Sequence, residues 1–285
     1  MMISLKKFIF VFLILIFAAQ ASTAQKEKIV FAISPMASPV STLSSYSDFI
    51  SYLSEKTGTK IILKQRRKYS EINSLLETGK AQFALTCTGA FLDGKYKFGL
   101  ELLAVPVIDG RTSYNSYIIV NKKSKIENFS QLPGKVFAFT DPLSLTGRLY
   151  PLSLLNTMGV KQEEFFRKTF YTSSHEKSIK SVAKGLADGA AVDSLIFKNM
   201  MRMGNPAIEN VRIIKISPPY GIPPVVVSPV TEKSTRELML TVLLKMPDDP
   251  AGKEILKKLH IDRFVLPNPA FYNTAAKMRK ATLSP

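Results

Sequence analysis

Val136-Phe137-Ala138-Phe139-Thr140-Asp141-Pro142-Leu143-Ser144-Leu145-Thr146-Gly147 is the stretch that decides how this chain folds. Its first five residues form a short apolar run of strand-formers. A helix is expected over residues 148–158, where Leu149, Leu152 and Leu155 share one face. Ser144 and Thr146 are residue types that cap helix N-termini. The helix start offers unpaired N–H groups and partial positive charge, which together favour a bound anion. The same residues also suit an ordinary capped helix with no ligand.

Working outward, strand-like and helical runs alternate almost throughout, the signature of an α/β fold. Upstream, strands are expected over 29–33, 61–63, 81–86 and 102–108. Between them, Tyr46, Phe49, Ile50 and Leu53 mark a helix ending near Gly58, and another spans 69–78 before Gly79. A further helical stretch follows Gly89. Downstream of the strand at 117–120 and the opening stretch, a helix beginning near Ser174 carries Ile179, Val182, Ala183 and Leu186 on one face. Strands follow at 189–192 and 211–216. A stiff connector, Ser217-Pro218-Pro219-Tyr220-Gly221-Ile222-Pro223-Pro224, leads to Val225-Val226-Val227, and the remainder reads as mostly helical. This layout predicts two α/β lobes, 25–115 plus 225–285 and 116–224, with the chain crossing between them near 113–117 and 218–224. Ligands of such folds bind outside the carboxyl ends of strands, in crevices between lobes. Four loops qualify: those at Tyr69, at Thr86-Cys87-Thr88, at Ser144-Leu145-Thr146 and at Ser173-Ser174-His175.

The N-terminus reads as an export signal over residues 1–24. Lys6 and Lys7 precede an unbroken apolar run from Phe8 to Phe17, and small-residue patterns at Ala19-Gln20-Ala21 and Ser22-Thr23-Ala24 offer cleavage sites. The run is short for a membrane span, so a soluble periplasmic protein is expected. The chain of 285 residues carries a net charge of +17, and +15 once residues 1–24 are removed. That excess suits anionic ligands. The lysines are scattered and no helix shows a basic stripe, so no nucleic-acid partner is expected. Cys87 is the only cysteine, and His175 and His260 are the only histidines, without metal-ligand spacing. No cofactor, metal site or catalytic motif is legible.

The sequence resembles the phosphate- and phosphonate-binding periplasmic proteins, within the type 2 solute-binding proteins of ABC importers. The likeness is carried by Phe137-Ala138-Phe139-Thr140-Asp141-Pro142 with Ser144 and Thr146-Gly147, similar to that family's Asp-Pro-x-Ser-Thr-Ser-Gly helix start. Tyr69 before its helix, Tyr114-Asn115-Ser116-Tyr117 before Ile118-Ile119-Val120, and His175 before the segment Val182 to Ala190 add to it. The resemblance implies a two-lobed type 2 periplasmic binding fold that closes on an oxyanion and docks on a membrane permease. Carried over by position, Ser144 and Thr146 would hold the oxyanion, His175 would donate a hydrogen bond, and Tyr69 and Tyr114 would close the opposite side. Leu145 lies in the same loop, and Thr88 could offer its hydroxyl and N–H or simply cap its helix. The expected protein is a monomer that binds a small oxyanion, phosphonate- or phosphate-like. A ligand-presenting partner of a membrane sensor and a two-lobed transferase are the alternatives.

Two departures stand out. The family's central Ser or Thr is Leu145 here, and an acid that many members carry is replaced in Pro223-Pro224. Losing one donor to a buried anion costs roughly 1.5–3 kcal/mol. A ligand with an apolar part touching Leu145 fits as well as phosphate does. Other residues have plainer readings: Tyr69 and Tyr114 as lobe-edge packing, Cys87 as a small buried residue, Asp193 as a helix cap, and Arg148 as a solvent-facing cation.

Overall fold

The computed structural model describes residues 28–283, so the predicted export signal lies outside the described residues. Strands β1 (Ile29–Ile33), β2 (Ile61–Gln65) and β3 (Phe83–Leu85) pair in parallel around β1, joined by the helices Pro39–Thr57 and Tyr69–Glu77. Gly58 ends the first helix in the left-handed region at φ 61°. The helix Thr88–Phe98 leads to β4 (Glu101–Val107). The chain then makes β5 (Ser113–Tyr114) and enters a second sheet of five strands: β6 (Ser116–Asn121), β7 (Val136–Phe139), β8 (Lys168–Tyr171), β9 (Gly189–Asp193) and β10 (Val211–Ile216). Its order is β10-β6-β9-β7-β8, with β7 parallel to β8 and β9. The return runs through β11 (Tyr220–Gly221), which pairs antiparallel with β5 in a two-stranded ribbon. Then β12 (Val225–Val227) inserts antiparallel between β3 and β4, and β13 (Arg263–Val265) adds beside β4. The first sheet therefore reads β13-β4-β12-β3-β1-β2.

Strand β13 lies in the C-terminal region read from sequence as mostly helical. Three residues are too few to show a period, and pairing with β4 supplies the missing signal.

The apolar run of β7 is continuous because its sheet buries it on both faces. Beneath it Phe137 stacks on Phe166 at 4.6 Å, while Phe129, Phe139 and Phe165 complete an aromatic cluster. Such packing fixes the end of β7 and hence the loop that follows. In the first sheet Phe31 meets Phe49 edge-on at 5.7 Å. The C-terminal helix Asn273–Leu283 reaches both halves. Arg279 pairs with Asp93 at 2.8 Å, and Asn156 donates to the Ala281 carbonyl at 3.1 Å. Among the described residues no helix is long and apolar enough to cross a membrane.

Candidate functional site

The helix expected from Arg148 starts three residues earlier, as a wide π-helical turn over Leu145–Leu149 that runs into the helix Tyr150–Met158. Ser144 caps it: its Oγ accepts the Gly147 N–H at 2.9 Å, and its carbonyl accepts from Arg148 and Leu149. A Cβ on Gly147 would overlap Thr140 Oγ1 and Ser144 Oγ, so only glycine lets the turn fold back on the end of β7. Asp141 accepts the Leu143 N–H at 2.8 Å, which shapes the loop. Among the described residues the N–H groups of Leu145 and Thr146 donate to no protein oxygen. The Leu145 N–H faces the Cys87 sulfur instead, and the Thr146 N–H is the open donor of the helix N-terminus.

Around them lie four buried side-chain atoms with no hydrogen-bond partner: Tyr69 Oη, Tyr114 Oη, Thr146 Oγ1 and His175 Nε2. An unsatisfied buried polar group costs about 1–3 kcal/mol, so four in one place are expensive in the absence of a ligand. Tyr69 opens the helix Tyr69–Glu77, beside Ser144 but outside good hydrogen-bond geometry. Tyr114 belongs to β5, and its hydroxyl is close to Thr88 and Tyr69. Burial, above all, drives both phenols well above their ordinary range, so they are neutral donors.

His175 is the first residue of the helix His175–Ala183, behind Ser174, whose side chain caps it by accepting from Lys177 N–H at 3.3 Å. Ser173 turns the chain there at φ 68°, a left-handed value that a non-glycine residue adopts at some cost. The Asp193 N–H donates to His175 Nδ1 at 3.1 Å. A nitrogen that accepts carries no proton, so Nε2 holds it and is the donor. Burial lowers the imidazole to about 3, so the ring stays neutral. Asp193 is buried beside it, its carboxyl raised to about 7 by desolvation and tempered by the N–H groups of Leu195 and Ile196. Asp193 is thus the cap of the helix Ser194–Arg202.

The other predicted site residues are placed differently. Thr88 spends its hydroxyl proton on the Gly221 carbonyl at 2.8 Å, tying its helix to β11. Leu145 buries its side chain in the larger apolar core and leaves only its backbone N–H at the site. Arg148 does not reach out to solvent. It is half-buried and curls back onto the Pro142 carbonyl at 3.1 Å, because the π turn tucks its stem against the loop.

Three further residues border the site: Cys87, read from sequence as a small buried residue in a candidate loop and buried here, Asp141 of the Asp-Pro loop, and Gly89, read only as preceding a helical stretch. Cys87 borders the site, its sulfur facing the N–H groups of Leu145, Gly89 and Ala90 and its thiol raised to about 11 by burial. Asp141 accepts the Tyr69 N–H at 3.2 Å from across the cleft. A Cβ on Gly89 would collide with the backbone of Leu143 and Leu145, so glycine is what allows the halves to meet there. Cys87 and Asp141 were legible as members of candidate loops after strands, whereas nothing local marks the close approach at Gly89. Two further bonds span the cleft, His175 N–H to the Met36 carbonyl at 3.0 Å and Ser41 to Glu176 at 3.4 Å. The halves are therefore closed over the four partnerless donors. Among the described residues no cluster of metal-ligating side chains occurs.

Residues 31–272 match the model of a protein family described as ABC transporter, phosphonate, periplasmic substrate-binding protein. A probable phosphite-binding protein of an ABC transporter from Prochlorococcus marinus is 27% identical over 114 residues, 38% of each chain. The match thus spans under two-fifths of that relative's length. Among solved structures, a binding component of a phosphonate ABC transporter from Pseudomonas aeruginosa superposes with TM-score 0.85 at 20% identity, covering 90% of this chain and 87% of that one. A Prochlorococcus marinus protein in complex with methylphosphonate gives 0.81 at 18% identity, over 90% and 98% of the two chains. These likenesses show the fold: two-lobed, α/β, of the type 2 periplasmic binding kind.

Proposed function

This chain belongs to the ABC transporter phosphonate periplasmic substrate-binding family, and we propose that it captures a phosphonate-like oxyanion between its lobes and delivers it to a membrane permease. The observation that carries the reading is the set of four buried, partnerless atoms: Tyr69 Oη, Tyr114 Oη, Thr146 Oγ1 and His175 Nε2. Each can donate, each is neutral, and they flank the open Thr146 N–H of a helix start. A dehydrated anion supplies the acceptors they lack, without a buried ion pair and its desolvation penalty. The related Prochlorococcus protein in complex with methylphosphonate is in keeping with such a ligand.

The lobes are taken as residues 25–115 with 225–285 and residues 116–224, turning about the ribbon of β5 and β11. Ser144 positions the turn as its cap and keeps its own proton for the anion. Catalysis has no support in the site, since His175 Nδ1 is occupied by the Asp193 N–H and burial holds Cys87 protonated. The protein is exported as a monomer after cleavage behind Ala21 or Ala24. N-terminal sequencing reads that step, and a mature chain still starting at Met1 overturns it.

Titration calorimetry with methylphosphonate, phosphite and phosphate tests the reading on wild type, Tyr69→Phe, Tyr114→Phe and Thr146→Val. Each variant removes one donor to a charge and should lose about 1.5–3 kcal/mol of affinity, roughly ten- to a hundredfold. Without ligand each should be more stable by about 1 kcal/mol, because an unsatisfied buried hydroxyl has gone. Variants that bind their best anion as tightly as wild type would move the ligand elsewhere.

A further inference from the structure

We propose that Asp141 is a positioning residue for anion capture: it caps the helix Tyr69–Glu77 from the opposite lobe, and so holds Tyr69 and the closed arrangement of the lobes in place. The inference rests on the oxyanion reading given above. That helix has no capping side chain of its own. Its N-cap residue is Lys68, whose ammonium can only donate. Glu71 in the first turn accepts the N–H groups of Arg67 and Lys68, at 3.1 and 2.9 Å. The Tyr69 N–H is left over, as the first N–H groups of a helix are. Tyr69 is fully buried, so the group needs a protein acceptor once the lobes are together. Asp141 Oδ2 accepts it at 3.2 Å.

The carboxylate is oriented from within its own loop. Pro142 confines the backbone of Asp141 to the extended region. Asp141 Oδ1 accepts the Leu143 N–H at 2.8 Å, which leaves Oδ2 for the other lobe. With the lobes closed Asp141 is buried, and desolvation raises its carboxyl above the ordinary 3.8. The two N–H groups oppose that rise, as do Lys68 from one lobe and Arg148 from the other. When the lobes part, water serves both Asp141 and the Tyr69 N–H. When they close, each depends on the other, so the bond tells the closed state from the open one. The ion pair of Asp109 with Arg202, 2.7 Å long, also joins the lobes, but it stays in contact with solvent and is worth little. The Tyr69 N–H and its phenol belong to one residue. The bond that holds the lobes together therefore also sets Tyr69 Oη against the anion turn.

Asp141→Asn separates the two bonds. Its single amide oxygen can accept from Leu143 and keep the loop, which turns the NH2 group towards the Tyr69 N–H, donor against donor. Calorimetry with methylphosphonate gives the affinity, and stopped-flow tyrosine fluorescence gives the rates. Affinity is expected to fall roughly ten- to a hundredfold. The loss should lie in faster dissociation, with association within about threefold of wild type, because the bond forms after the anion has entered. A residue that only shaped its own loop would show neither change. Tyr69→Pro deletes the N–H from the other end of the bond. Proline is tolerated at a first helical position, and Lys68, at φ −124° and ψ 150°, already has the backbone that a following proline requires. Added to Tyr69→Phe, which keeps the N–H, Asp141→Asn should weaken binding by the full factor. Added to Tyr69→Pro, it should weaken binding less than about threefold, since no donor is left to lose. Wild-type affinity in Asp141→Asn, a loss carried by association, or an equal loss on both Tyr69 backgrounds would overturn the proposal and leave the oxyanion site standing. Failure of the wild type to bind methylphosphonate, phosphite and phosphate alike would overturn both.

Discussion

Replacing Asp193 by Asn should make the ligand-free protein acid-sensitive in a way that wild type is not. In the folded state Asp193 is raised to about 7 and His175 lowered to about 3, from ordinary values of 3.8 and 6.5. Between about pH 4 and 6.5 the folded pair therefore holds one proton, on Asp193. The unfolded pair also holds one, on His175. Stability changes with pH only when the two states bind different numbers of protons, so over this window the pair contributes no slope. Asn keeps the cap, since its side-chain oxygen can accept from the Leu195 and Ile196 N–H groups as Asp193 does. It abolishes the folded-state proton, leaving His175 buried and neutral while its unfolded counterpart protonates. Below pH 6.5 the variant then loses up to about 1.4 kcal/mol per pH unit relative to wild type, or about 2 kcal/mol by pH 5. For a chain of this size that is roughly 4–8 °C in Tm. His175→Gln should do the reverse: with Asp193 alone, the variant gains relative to wild type as pH falls from 7 towards 4. Thermal unfolding by circular dichroism, in anion-poor buffers at pH 7.5 and 5.0, gives the differences directly. A variant-minus-wild-type difference that does not change between the two pH values, or has the same sign for both variants, would refute the reasoning.

Gly89→Ala should block closure, because its Cβ would overlap the Leu143 carbonyl oxygen across the cleft. Anion affinity is expected to fall by about a hundredfold with the ligand-free Tm within roughly 2 °C of wild type, and small-angle scattering should show no compaction on adding anion; normal compaction would refute it. Cys87, raised from 9.0 to about 11 by burial, should react with a maleimide about a hundred times more slowly than a free thiol once anion is bound, and at the ordinary rate in denaturant. Free-thiol kinetics in the anion-bound protein would place the sulfur outside the site.

The sequence by itself determined the elements, because their signals are local. The apolar run of β7, the Ser144 cap and the Gly58 stop each act within a few residues of themselves. The fold class followed from their alternation, and the family from the Asp-Pro loop and the segments around it. Other features needed the folded molecule. The π turn at Leu145 has no periodic signature, and it forms because Gly147 can press against Thr140. Leu145 read as a missing hydroxyl, yet tertiary packing made it a core residue whose backbone N–H faces the Cys87 sulfur. Tyr69, Tyr114, Thr146 and His175 could be singled out by position in the sequence, but not the state of their polar atoms. That state depends on sheet order and on closure of one lobe over the other, which bury the four atoms together without giving any of them a partner. The proton is likewise held on His175 Nε2 because an Asp193 N–H eighteen residues away, brought to the ring by β9, occupies Nδ1. Contacts between distant residues are set by which strands pair and which loops meet, and local patterning carries no term for either.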